Sequence, residues 1–333
     1  MTGAAEVPVT VVIATRNRAA ELCRTLGHLA ALEEKPRVIV VDNASADGTP
    51  AIVEDRYPAV DVIRMPGNHG SWARNAGVVR ARTPYVAFSD DDSWWEPGSL
   101  RQACGLLDAH PDLGLVAGRT LVGPDRAEDP LNAVLAASPL PRDELPGPRV
   151  LGFLGCAAVA RRDAYLRAGG YHKQMGIGGE EELLAMDLAA AGWQLAYVEQ
   201  VVARHLPSPA RDPAGRRAIQ ERNRVLIAWL RRPLGHALAL TAALGARARG
   251  DPAARRALVM LLAALPRALP GRRRLPASIE AQLRILEQAG AVSSSPGGQA
   301  GPAGAWCGPG VRGEGAGRPG PRFPAGRGGD GRG

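Results

Sequence analysis

Apolar segments and amphipathic segments alternate along the first hundred residues of the chain. The apolar segments are rich in β-branched residues and predict strands at 7–14, 37–41, 60–65 and 83–89. The segments between them have the polarity pattern of helices, at 19–32, 49–57 and 72–81. Continuous apolar strands that alternate with helices predict an α/β fold, in which helices cover both faces of a mostly parallel sheet.

The middle of the chain predicts a second, less regular group of elements. Residues 124–149 are rich in Pro, Asp and Arg and predict a long loop. The elements expected after it are a strand at 150–160, a helix at 163–169, a helix from 180 to 191 and a strand at 195–202. A glycine-rich loop at 176–179 precedes the second of these helices, and His205 comes just after the last strand.

The positive charge of the chain is concentrated near its C-terminal end. Residues 1–203 carry a balance of −7, residues 204–274 carry +13, all from Arg, and residues 275–333 carry +2. From 216 onward the pattern is helical, with breaks expected at Pro233, Asp251-Pro252, Pro266 and Pro270. Pairs and triples of Arg beside Leu-rich faces are typical of a helix on an anionic membrane surface, and more commonly of an amphipathic helix packed on its own protein. No nucleic-acid-binding motif accompanies the arginines, so we expect no nucleic acid partner.

Three polar clusters follow three predicted strands, at the point where each strand ends. They are Thr15–Arg18, the segment 42–47, and Asp90-Asp91-Asp92. Ligands of parallel sheets bind outside the carboxyl ends of the strands, so the fold would bring these clusters together. Adjacent carboxylates repel one another unless a cation offsets them, and a hard divalent ion that also binds substrate phosphates would do so. A solvated acidic turn is the alternative for Asp90–Asp92.

Five segments in this order resemble family 2 of the glycosyltransferases, which have the GT-A fold. They are Val11–Arg18, Val40–Thr49, Asn68–Gly77, Phe88–Asp92 and Gly178–Glu181, and the resemblance covers roughly residues 7–233. It implies an inverting transfer of a sugar from a nucleoside diphosphate donor (a UDP-, GDP- or dTDP-sugar) to an acceptor hydroxyl, with Mn²⁺ or Mg²⁺ as cofactor. The domains expected are a GT-A domain at 1–232, a C-terminal amphipathic helical region at 233–289 and a disordered Gly/Pro/Arg-rich tail at 290–333.

The resemblance also implies roles for individual residues. The nucleotide-sugar would contact Thr15, Arg16, Asp42, Asn43, Arg74, Asp90 and Asp91. Asp92 would be the principal metal ligand, with His205 as a further metal or diphosphate contact. Glu181, where the family usually has Asp, would be the catalytic base, with Glu180 or Glu182 as the other candidates. Trp94 and Trp95 either stack on an acceptor sugar or belong to the core.

Simpler structural roles and other functions are also compatible with these residues. Glu180–Glu182 could simply favour a helix N-terminus, and His205 could be a surface imidazole. A non-catalytic scaffold of the same fold and a sugar-nucleotide nucleotidyltransferase are the alternative functions. The second should have a glycine-rich phosphate loop after the first strand, and the segment Ala14–Asn17 contains no glycine.

The expected location is the cytoplasm, with the inner face of the membrane as a candidate peripheral contact. The first residues lack the basic segment and long apolar core of a signal peptide. The four cysteines are scattered, as is usual in a reducing compartment.

Overall fold

A computed structural model describes residues 7–207 and 213–293 of the chain. Its strands are β1 (Val9–Thr15), β2 (Arg37–Asp42), β3 (Asp61–Arg64), β4 (Tyr85–Asp90), β5 (Ser93–Trp95), β6 (Leu113–Val122), β7 (Ala127–Glu128), β8 (Ala158–Arg161) and β9 (Gln194–His205). Its helices are α1 (Ala19–Ala30), α2 (Thr49–Arg56), α3 (Arg74–Arg80), α4 (Ser99–Ala109), α5 (Pro130–Ala136), α6 (Arg162–Ala168), α7 (Glu180–Ala190), α8 (Pro213–Arg231), α9 (Leu234–Arg247), α10 (Pro252–Ala268) and α11 (Ala277–Ser293).

The described strands form one mixed sheet in the order β3-β2-β1-β4-β8-β6-β9-β5, with β7 paired to β6. Strands β3, β2, β1 and β4 are parallel neighbours, and β6 and β9 run in the same direction as they do. Strands β5, β7 and β8 run in the opposite direction. The mostly parallel sheet expected from the sequence is therefore confirmed.

The strand register brings the polar strand ends to one edge of the sheet. Thr15 of β1 lies opposite Asp42 of β2, and Ala14 of β1 lies opposite Asp90 of β4. Since these strands are parallel, the loops that follow them leave the sheet side by side.

Alternate residues of the strands enter two hydrophobic clusters, as the period of two requires for a sheet covered on both faces. Val12, Val41 and Phe88 belong to one cluster, together with leucines of α7 to α11. Val11, Ile13 and Val40 belong to the other, together with α1 and α4. The C-terminal helices thus bury their apolar side chains in the same core as the sheet.

Several C-terminal arginines are used inside the protein. Arg231 is 2% exposed and pairs with Asp187 of α7 at 2.5 and 2.9 Å, and Arg232 pairs with Glu280 and Glu287 of α11. None of the helices in the described part of the chain is both long enough and apolar enough to span a membrane.

Four local expectations were wrong. The segment 124–149 is not one loop, because it contains β7 and α5. Only the end of the expected strand at 150–160 belongs to a strand, β8. The apolar residues Val150, Leu151 and Phe153 are buried but lie outside the strands. Strand β9 extends through His205, and Pro266 lies inside α10 without breaking it. The domain boundaries remain a prediction, and the expected tail lies outside the described residues from 294 onward.

The buried pair between Arg231 and Asp187 offers a test of how the C-terminal helices are anchored. Arg231→Met should lower the free energy of unfolding by about 3–5 kcal/mol, because it leaves the Asp187 carboxylate buried without its partner. Arg167→Met, which removes an exposed pair with Asp163, should cost only about 0–1 kcal/mol. If urea denaturation shows the same loss of unfolding free energy in both variants, the pair between Arg231 and Asp187 does not anchor the C-terminal helices.

Candidate active site

The ends of β1 and β2 form the first wall of the site. Asp42 is 3% exposed, and one of its carboxylate oxygens accepts a hydrogen bond from the Ser45 amide at 3.0 Å. Its other oxygen, Oδ1, is buried and has no hydrogen-bond partner among the described residues. Asn43 joins this wall to the next loop, since its side chain accepts from the His69 amide and donates to the Gly70 carbonyl. An unsatisfied buried carboxylate oxygen at this edge is an acceptor available to a ligand hydroxyl or N–H group.

The three aspartates at the end of β4 are held by two different arginines. Asp90 pairs with Arg74 of α3. Asp91 lies 3.0 Å from Arg18 Nε and accepts a hydrogen bond from the Thr15 hydroxyl at 3.0 Å. Asp92 accepts from Arg18 at 2.8 Å and is 2% exposed. Burial, followed by the charges of Asp92 and Asp90, raises the pKa of Asp91 to about 7, although Arg18 and Thr15 act in the opposite direction.

Arg18 was not among the site residues expected from the sequence. It lies two positions after Arg16, which was expected to flank the nucleotide but is exposed at the rim. The signal was present in the segment Thr15–Arg18, which contains both arginines. Only the course of the chain into α1 decides which of them contacts the aspartates.

The end of β9 places His205 beside Asp92. His205 lies opposite Ser93 of β5 in the strand register, and the Leu206 amide donates to the Asp92 carbonyl at 2.8 Å. The side chains then approach to 3.3 Å, between His205 Nε2 and Asp92 Oδ1. Because His205 lies inside β9 and not in the loop beyond it, the strand pairing holds its imidazole beside Asp92.

Asp90, Asp92 and His205 form a candidate metal centre. Each offers one ligand atom, and these atoms all lie within 4.8 Å of one another. Two carboxylates and one imidazole are a donor set that suits Mn²⁺, and the carboxylates alone would also suit Mg²⁺. The residues present therefore fit the metal that the sequence resemblance implied.

Arg74 links the aspartates to the glutamates at the start of α7. Arg74 is 9% exposed, and its guanidinium pairs with Asp90 and lies 5.7 Å from the centre of the Tyr171 ring. Asn75 fixes the backbone of Tyr171, because its side chain donates to the Tyr171 carbonyl at 2.9 Å and accepts from the Tyr171 amide at 3.0 Å. Tyr171 is a further site residue that the sequence analysis missed, and it follows Gly169-Gly170 with no polar signal of its own.

Glu180 and Glu181 open α7 directly after Gly179, whose φ of 90° favours glycine. Glu180 is buried, and its Oε2 has no hydrogen-bond partner in the described part of the chain. Glu181 is partly exposed and lies against Gly155, where an added Cβ would come within 2.7 Å of Glu181 Oε1. Burial raises the pKa of both carboxyl groups above the usual range for Glu, and Arg74 acts in the opposite direction.

The two tryptophans differ in their surroundings. Trp95 is 1% exposed and belongs to the hydrophobic core, so its ring has no face open to a bound sugar. Trp94 is partly buried and stacks on His28 of α1 at 4.0 Å between ring centres. Trp95 is therefore a core residue and not an acceptor contact. One face of the Trp94 ring is covered by His28.

The site combines three chemical properties at one sheet edge. It offers oxygen and nitrogen ligands for a cation, guanidinium groups beside them, and the partly exposed carboxyl group of Glu181, whose pKa is raised. A cation and guanidinium groups can stabilise a leaving diphosphate, and a carboxylate can take a proton from a hydroxyl group.

Comparison with known proteins agrees with this geometry. The sequence model described as Glycosyl transferase family 2 matches residues 10–167. An uncharacterized glycosyltransferase of Mycobacterium bovis is 33% identical over 195 residues, which are 57% of this chain and 83% of that protein. The N-acetylglucosaminyl-diphospho-decaprenol L-rhamnosyltransferase of Mycobacterium tuberculosis is 27% identical over 267 residues, which are 67% of this chain and 87% of that protein.

A solved structure shares the fold. The mannosyltransferase PcManGT from Pyrobaculum calidifontis, in complex with GDP-Man and Mn²⁺, superposes with a TM-score of 0.54, with 25% sequence identity and coverage of 86% of each chain. The GT-A fold expected from the sequence is thereby confirmed.

The pairing of Arg18 with two aspartates can be tested against its neighbour Arg16. Arg18→Met should lower the free energy of unfolding by about 1–3 kcal/mol. This value lies between those of exposed and fully buried pairs, since the Arg18 side chain is 24% exposed. Arg16→Met should leave stability nearly unchanged in the same urea denaturation experiment. A similar loss in both variants would show that Arg18 does not neutralise the aspartates.

Proposed function

Because the chain belongs to glycosyltransferase family 2 and is a glycosyltransferase, we propose that it transfers a sugar from a nucleoside diphosphate donor to an acceptor hydroxyl with inversion. The observation that carries the proposal is the group of Asp90, Asp92 and His205 beside Arg74 and Glu181. A purely carbohydrate-binding scaffold and a nucleotidyltransferase are set aside, because the relatives are named glycosyltransferases.

The donor nucleotide binds at the ends of β1 and β2 in this proposal. Asp42 accepts hydrogen bonds from the base or ribose through its unsatisfied Oδ1, and Thr15, Asn43 and Arg16 line the same edge. A GDP-sugar occupies the related mannosyltransferase, which supports a UDP-, GDP- or dTDP-sugar here.

Asp92, Asp90 and His205 would hold the divalent ion. Once bound, Mn²⁺ or Mg²⁺ would supply Lewis-acid stabilisation of the negative charge on the leaving diphosphate. Arg74 lies on the Glu180–Glu181 side of Asp90 and adds a fixed positive charge between the carboxylates and the base.

Glu181 acts as the base. Its carboxyl group is partly exposed, whereas Glu180 is buried, so Glu181 is better placed to reach an acceptor hydroxyl. It removes the hydroxyl proton as the oxygen attacks the anomeric carbon opposite the leaving diphosphate. One displacement without a covalent sugar–enzyme intermediate inverts the anomeric configuration.

The proposal extends to the acceptor. The rhamnosyltransferase relative is named for a sugar carried on a lipid diphosphate. A hydroxyl group of a lipid-diphosphate-linked sugar is therefore the acceptor class to be tested first.

Nucleotide binding should depend on the metal and on Asp92. In calorimetric titrations with UDP, GDP and dTDP, one nucleotide should bind in the presence of Mn²⁺ and at least 10-fold more weakly after chelation with EDTA. In the Asp92→Asn variant, Mn²⁺ should no longer strengthen nucleotide binding, because the principal carboxylate ligand is gone. Asp125→Asn, at an exposed aspartate, is the matched control and should bind like the wild type. Metal-dependent binding that survives in Asp92→Asn would contradict the assigned metal centre.

Glu181→Gln should lower the rate of nucleoside diphosphate release from the bound donor by about 10²–10⁴-fold, since the base is removed. The wild-type kcat/KM should rise with pH through a pKa above the value of about 4.3 for an ordinary Glu, because a carboxylate is a base only when deprotonated.

Glu182→Gln on the same turn should keep both the rate and this pH dependence. If Glu180→Gln or Glu182→Gln loses the pH dependence while Glu181→Gln keeps it, that other residue is the base and the assignment of Glu181 is wrong.

A further inference from the structure

A cavity of about 650 Å³ lies between α10, α8 and the segment that precedes α7. It is lined by Lys173, Gln174, Arg222, Met260, Ala263, Ala264 and Arg267. Three of these side chains are cationic and none is acidic. The proposed donor and metal sites use none of them.

Arg222 is a buried cation without an acidic partner. It is 8% exposed, and its guanidinium donates to the carbonyl groups of Gln174 and Met175 at 2.6 and 3.4 Å. Its Nε is buried and makes no hydrogen bond to any described residue. No carboxylate in the described ranges 7–207 and 213–293 forms an ion pair with it. Because a buried charge is costly unless it is paired, this guanidinium favours an anion in the cavity.

The other two cations are also available to an anion. Lys173 lies over the face of the Trp72 ring, 5.7 Å from its centre, and among the described residues Arg267 donates only to the Ala263 carbonyl one turn earlier. Helix α10 itself contains no Asp or Glu. Three positive charges with no carboxylate among the lining residues suit a phosphate or a diphosphate.

The α10 side of the cavity is mainly apolar. Met260, Ala263 and Ala264 belong to α10, and Val259, one residue before Met260, is 63% exposed. Large exposed apolar side chains beside arginines are characteristic of contact with lipid. A free phosphate would leave this side of the cavity unused.

The cavity is also linked to the proposed base through the backbone. Arg222 and its neighbour Asn223 donate to the carbonyl groups of residues 174, 175, 177 and 178, and Gly179 and the two glutamates follow directly in the sequence. This segment therefore connects the lining of the cavity to the start of α7, where Glu181 lies.

We propose that this cavity binds the phosphate or diphosphate group of a lipid-linked acceptor, with its hydrocarbon chain on the apolar face of α10. Lys173, Arg222 and Arg267 bind the phosphate oxygens, and the sugar extends toward Glu181. This inference rests on the proposed function for its acceptor, but the binding site can be tested without any transfer of sugar.

The test is calorimetric titration of the full chain with farnesyl diphosphate, inorganic diphosphate and farnesol, in EDTA so that the metal centre plays no part. Farnesyl diphosphate should bind at least 10-fold more tightly than either inorganic diphosphate or farnesol, because each of these lacks half of the recognised structure. Lys173→Gln combined with Arg267→Gln should weaken this binding at least 10-fold. These two residues are exposed, so the variant should keep the fold, whereas a change at the buried Arg222 would also remove hydrogen bonds that hold residues 174 and 175.

Arg167→Gln combined with Arg284→Gln removes the same charge elsewhere on the surface and should leave binding unchanged. Equal loss in both double variants, or no binding of farnesyl diphosphate, would overturn the proposal. Equal affinity for inorganic and farnesyl diphosphate would show an anion site that does not recognise lipid, and would also overturn it. Mn²⁺-dependent nucleotide binding, measured on the same Lys173/Arg267 variant, should be unchanged, so failure here is distinguishable from failure of the donor site.

Discussion

Mutual repulsion among acidic groups is the constraint on which the arrangement of this site depends. Asp90, Asp91 and Asp92 are consecutive, and the charge of Asp90 also reaches the two glutamates at the start of α7. Two guanidinium groups offset this repulsion from opposite sides, Arg18 at the end of β1 and Arg74 on α3. Such a concentration of carboxylates costs stability unless cations offset it, which accounts for the two arginines beside it and for the fit to a divalent ion.

The C-terminal helices help to position the start of α7, where Glu180 and Glu181 lie. They share a hydrophobic cluster with the sheet, and Arg231 fixes α8 to Asp187 on α7. Helix α8 then holds the segment 174–178 through the side chains of Arg222 and Asn223. The position of Glu181 therefore depends on packing that lies well outside the five sequence segments that resemble the family.

The strand ends could be predicted from the sequence because each strand is a continuous apolar run with a sharp polar end. The identity of the contacting arginine could not, since Arg16 and Arg18 are the same residue type in the same segment and only α1 separates their environments. The apolar segment around Phe153 was misassigned because apolar character shows burial but not backbone conformation. His205 was expected in a loop, and the pairing of β9 with β5, which depends on residues more than a hundred positions apart, placed it in a strand.

The most direct measurement is a crystal structure with Mn²⁺ and the nucleotide that binds, with anomalous diffraction recorded at the manganese edge. We expect one anomalous peak within about 2.0–2.5 Å of a carboxylate oxygen of Asp92 and of a nitrogen of His205, with the nucleotide diphosphate on the same ion. A peak bound by other residues, or an ordered nucleotide with no peak between Asp92 and His205, would contradict the metal-assisted site at the sheet edge.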